Sequence, residues 1–86
     1  MLEEGKCYYN DRLIVKIIYK CSNGYVVKGV NISNRLYYYQ ALMRQDTQLI
    51  PLDEYKFDKI FDKLQSSRGR FTPEILDLIN ELIFEI

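Results

Sequence analysis

The sequence predicts an α+β fold: a four- to five-stranded antiparallel curled sheet, or a small SH3-like barrel, followed by two C-terminal helices. One change of period and the order of the elements carry that reading. Residues 1–51 alternate in apolar runs broken by turn signals, whereas 52–66 and 72–86 repeat their apolar residues at helical spacing. Strands that precede helices, rather than alternate with them, argue against a parallel sheet. At 86 residues the chain suits a single domain spanning 1–86.

The first strand is expected over Lys6 to Tyr9, followed by Asn10-Asp11 as a hairpin turn. Arg12 to Lys20 follows, with Leu13, Val15, Ile17 and Tyr19 on one face and Ile14, Lys16, Ile18 and Lys20 on the other. Ser22-Asn23-Gly24 is the strongest turn signal, because Asn-Gly suits the primed turns that close hairpins. Gly24 to Asn31 makes a third strand, and Gly29 within it marks a bulge or bend. Ser33-Asn34 turns the chain into Arg35 to Met43, centred on Tyr37, Tyr38 and Tyr39. A short fifth strand is expected near Thr47 to Ile50, ended by Pro51.

Asp53 is placed to cap a helix in which Phe57, Ile60, Phe61 and Leu64 fall at i, i+3, i+4 and i+7. The helix ends at Ser66-Ser67-Arg68-Gly69-Arg70. Thr72-Pro73-Glu74 then starts a second one, with a hydroxyl cap, proline at the first helical position and an acid in the first turn. Ile75, Leu76, Ile79, Leu82, Ile83 and Ile86 form its stripe, expected to cover an open part of the sheet or else to serve self-association.

Several classes are disfavoured by composition. The 48% apolar fraction and zero net charge argue against disorder, and no apolar run approaches the roughly 18 residues of a membrane span. The acidic start Met1-Leu2-Glu3-Glu4 reaches Gly5 and Lys6 at once, unlike a secretory signal. Cys7 and Cys21 lie in strand-like context without a C-x-x-C pair or any histidine, so both are expected as free core thiols. Ile, Lys, Asn and Tyr supply thirty residues against a single alanine, Ala41, a bias toward A/T-rich codons. A cytoplasmic protein of microbial, phage or mobile-element origin is the expectation.

The zero net charge is a sum of opposites. Residues 1–44 hold seven basic and three acidic side chains, and residues 45–86 hold five basic and nine acidic, giving +4 and −4. Glu54, Asp58 and Asp62 stack on one helical face, as do Glu74, Asp77, Glu81 and Glu85. Such a face is a solvated helix surface, a partner-binding surface, or a counter-charge for the chain's own basic half. As a binding surface it would compete for a cationic groove that otherwise holds nucleic-acid phosphates.

Seven of the eight tyrosines lie among the strands with the basic residues. Lys28, Arg35, Tyr37 and Tyr39 compose a candidate platform for single strands, by base stacking and phosphate contact. Tyr38 should face the opposite way, and core packing accounts for tyrosines equally well. Arg68-Gly69-Arg70 resembles the core of the AT-hook, whose arginines enter a narrow minor groove, with Phe71 where that pattern has proline. The same triplet also reads as a glycine C-cap between two helices.

No phosphate-binding glycine loop, nucleophile elbow or metal-ligand spacing occurs, so neither an enzyme nor a cofactor is expected. The reading that follows is a binding protein, a small inhibitor or regulator acting through its acidic helices on a protein partner, such as one that binds nucleic acid. The alternatives are a nucleic-acid-binding module using the basic tyrosine-rich sheet, and a self-associating structural subunit.

Overall fold

A computed structural model describes residues 2–84. In chain order the elements are β1 (Cys7–Tyr9), β2 (Leu13–Cys21), β3 (Gly24–Asn31), β4 (Leu36–Arg44), β5 (Ile50–Leu52), α1 (Glu54–Ser66) and α2 (Pro73–Phe84). The strands form one antiparallel sheet in the order β4-β3-β2-β1-β5, followed by the two helices, as the change of period predicts. β4 and β5 are its two edges, so the sheet curls without closing.

Both faces of the sheet are buried, which explains why its strands alternate so imperfectly between apolar and polar. On one face Tyr8, Val15, Ile17, Tyr25, Val27 and Met43 make a core with no helical member. A sheet can bury such a face without a covering layer only by curling over it. On the other face Cys7, Ile14 and Val30 pack with Phe57, Ile60, Phe61 and Leu64 of α1 and Ile75, Ile79 and Leu82 of α2. Each of these large apolar side chains contributes about 1.5–3 kcal/mol on burial. Ile75, Ile79 and Leu82 of the α2 stripe are therefore part of the chain's own core, and Ile86 lies outside the described residues.

Two irregularities redirect side chains. Between Ile17 and Tyr19 the pairing with β3 slips by one, leaving Ile18 as the extra residue. The sequence reading puts Tyr19 with Val15 and Ile17; the bulge turns it onto the face of Ile14 and Lys16 instead. A second slip leaves Lys28 opposite both Tyr39 and Gln40 of β4. Gly29 follows it because a Cβ there would fall on the Ile14 carbonyl oxygen and 2.8 Å from Val15 Cα.

Other details differ from the sequence reading. The β2–β3 loop is Ser22-Asn23, with Cys21 paired to Gly24. Neither loop residue has positive φ, so it is not a primed turn. Gly24 is required for another reason: its Cβ would meet the Met43 carbonyl of β4. β5 begins only at Ile50 and contains Pro51, which an edge strand tolerates because no further strand needs its missing N–H. Cys7 is buried as expected and Cys21 is only half-buried; both are free thiols.

Both helix caps follow the sequence. Asp53 Oδ1 accepts from Tyr55 N at 3.1 Å, and Thr72 Oγ1 accepts from Ile75 N at 3.3 Å. The helices start at Glu54 and Pro73 rather than at 52 and 72 because each cap lies outside its helix.

Candidate functional site

Three acidic residues of α1 and α2 face lysines of the same chain. Lys16, on β2, projects to the start of α1, where its Nζ lies 2.5 Å from Glu54 Oε2 and 3.8 Å from Asp58 Oδ1. The hydrogen bond to Glu54 raises the Lys16 ammonium above its usual pKa, while Lys16 holds Glu54 below the usual carboxylate value. Across the helix pair, Lys63 Nζ lies 2.6 Å from Glu74 Oε1 and lowers that carboxyl in turn, with a smaller contribution from Lys59. Lys56 and Lys59 line the groove between the helices together with Glu81. The chain thus alternates in layers: a cationic sheet, a helix acidic on one flank and basic on the other, then an acidic helix.

That arrangement engages Glu54, Asp58 and Glu74 internally. Asp62, Asp77 and Glu81 are exposed and have no ion-pair partner among the described residues. Glu85 lies outside the described residues.

The residues of the basic, aromatic set converge more closely than their sequence spacing suggests. Tyr37 and Tyr39 lie on the helix-covered face, where both rings make T-shaped contacts with Phe61 of α1 at centroid distances of 5.9 and 5.7 Å. Their own rings meet at 5.8 Å. Lys28 Nζ stands 5.3 Å from the Phe61 ring centroid, completing a cation–aromatic group on the same residue. Hydrogen bonding with Tyr39 pushes the Tyr37 phenol above its usual pKa. Gln65 Nε2 donates to Tyr39 Oη at 3.2 Å and fixes that ring to the helix.

Arg68 and Arg70 reach the same place through the end of α1. The Gly69 N–H donates to the Leu64 carbonyl at 2.8 Å, and Arg68 and Gly69 take φ of 57° and 82° to allow it. The triplet predicts glycine as the cap, but the cap is Ser67, and Arg68 takes the first left-handed position ahead of Gly69. It sets Gly69 directly on Tyr37, whose Cε1 lies 2.5 Å from where a Cβ would stand. Arg35, at φ 55°, flanks the other approach to β4.

Lys28, Arg35, Arg68 and Arg70 have no carboxylate partner among the described residues, in contrast to Lys16 and Lys63. Tyr39 keeps 56% of its surface exposed. Tyr38 turns the other way and packs against the second core, where burial raises its phenol pKa. The sequence reading placed Phe61 only in the core stripe. Nothing in its local spacing shows that two tyrosines from β4 rest on it, because that contact spans more than twenty residues.

No family model, curated protein or solved structure matches this chain.

Proposed function

We propose that this protein binds single-stranded nucleic acid through Lys28, Arg35, Tyr37, Tyr39, Arg68 and Arg70. One observation carries the reading: Lys28 and the Arg68-Gly69-Arg70 turn adjoin a tyrosine pair packed on Phe61, with Arg35 two residues before Tyr37, and these four cations have no acidic partner among the described residues, while the helical acids beside Lys16 and Lys63 are engaged within the chain. Arginine and lysine supply phosphate contacts, and an exposed tyrosine ring supplies a face on which any base can stack. The rigid support matters, because a ring held in place loses less conformational freedom when a base covers it.

Fluorescence anisotropy with labelled twelve-residue DNA and RNA oligonucleotides tests the proposal. Affinity should fall as salt rises, and removing both Arg68 and Arg70 should flatten the log–log salt slope by about 0.7 for each lost phosphate contact. Preference for duplex over single strands, or no binding at low salt, would refute it.

The exposed Asp62, Asp77 and Glu81 support a second reading, in which the acidic helices occupy a cationic groove on a protein partner. It predicts that Asp77→Lys with Glu81→Lys abolishes capture of such a partner and does not weaken oligonucleotide binding.

A further inference from the structure

The bulge at Ile18 has exposed a tyrosine in line with this site. Tyr19, Val26 and Leu42 form a row across β2, β3 and β4 on the helix-covered face, immediately beyond the row that holds Lys16, Lys28 and Tyr39. α1 rests on the earlier rows and leaves the ends of this one open: Tyr19 is 47% and Leu42 63% exposed, with Val26 half-buried between them. Tyr19 stands two strands from Tyr39, about 10 Å across the sheet. Lys28 lies in the row between the helix and this strip.

We infer that Tyr19 is a second stacking position for the same nucleic-acid strand, which crosses the sheet from Tyr39 over Leu42 and Val26. The inference rests on the proposed function and extends it by naming the path of the strand. Three side chains present far less than the roughly 800 Å² per partner that a stable protein interface buries. A narrow apolar strip bordered by an ammonium and an aromatic ring suits bases, whose faces stack while their phosphates seek cations. Neither Tyr19 nor Leu42 belongs to either core, so both remain open to substitution.

The test compares Tyr19→Ala, Tyr39→Ala and Ile50→Ala, the last on the opposite edge of the sheet, against a labelled twelve-residue oligo-dT. Circular dichroism of each variant confirms the fold. Tyr19→Ala should weaken binding at least about fivefold, the lower end for loss of one base–aromatic stack, with an unchanged salt slope because no phosphate contact is removed. Ile50→Ala should bind like the parent. If Tyr39→Ala weakens binding but Tyr19→Ala stays within about twofold of the parent, the path is wrong and the proposed site stands. No binding by the parent overturns both. A dimer by light scattering that Leu42→Lys converts to monomer would show that a second copy covers the strip, and would also overturn the inference.

Discussion

Lys16 Nζ lies 2.5 Å from Glu54 Oε2, so a single ammonium from the middle of β2 fastens the start of α1 to the sheet. Its Nζ stands over the Phe57 ring, 6.0 Å from the centroid, which places the charge at the margin of the core. Glu54 and Glu74 are both held below their ordinary value of 4.5 by their lysines. Their contribution to stability is therefore complete above pH 4.5 and is lost as pH falls through the lowered values. Lys16 behaves in the opposite sense: raised above 10.5, it stabilises fully below that pH and less as pH rises through its folded value. Lys16→Met keeps the stem but removes the charge. Its urea midpoint should fall less than the parent's between about pH 6 and pH 3, and parallel losses would show that the pair does not control the acid limb.

Gly29 gives a test of the curl itself. A methyl group there meets the Ile14 carbonyl and Val15 Cα, both backbone atoms that cannot rotate away. Gly29→Ala should cost at least about 2 kcal/mol in urea unfolding. Gly5, at φ +80° with open space around its Cβ position, has only backbone strain to lose, and Gly5→Ala should cost about 1–2 kcal/mol. A smaller loss at Gly29 than at Gly5 would mean that β2 and β3 can separate locally without penalty.

The elements were legible in the sequence because their signals are local. Asp53, Thr72 and the Phe57–Leu64 spacing each fix a helix within a few residues, and the caps form as written. The faces of the strands were less legible. A bulge at Ile18 depends on how β2 meets β3, and it reverses Tyr19 without leaving any mark on the alternation around it. The site divides in the same way. Arg68-Gly69-Arg70 is readable as a helix end, but its seat against Tyr37 is a long-range contact between a loop and an edge strand. The acidic stripes were visible, yet the lysines that oppose them belong to other elements, and only packing brings Lys16 to Glu54 and Lys63 to Glu74.

The two thiols should differ in reactivity. Burial pushes the Cys7 thiol up to about 11, and a buried neutral thiol is a poor nucleophile at neutral pH. Cys21 ends β2 and is half-buried. Titration with an aromatic disulfide reagent near pH 8 should modify Cys21 in the native protein and Cys7 only on unfolding. Equal rates for both would place Cys7 in a part of the sheet that opens freely.

Phe57 and Phe61 allow the support of the site to be separated from the stability of the core. Their rings stack at a centroid distance of 5.5 Å, and both are almost wholly buried. Replacing either by leucine should cost about 1–3 kcal/mol through lost aromatic contact and altered shape. Phe61 alone carries Tyr37, Tyr39 and Lys28, whereas the ammonium above Phe57 is that of Lys16, already neutralised by Glu54. Phe61→Leu should therefore lower both stability and oligonucleotide affinity, and Phe57→Leu should lower stability with affinity retained, each read by urea unfolding and anisotropy on the same preparation. Because Phe61 is buried, its effect on binding arises through the groups that rest on it, Tyr37, Tyr39 and Lys28. Equal affinities in the two variants would mean that Tyr37 and Tyr39 do not need a fixed support, and stacking on them would no longer explain a binding site beside Lys28, Arg35, Arg68 and Arg70.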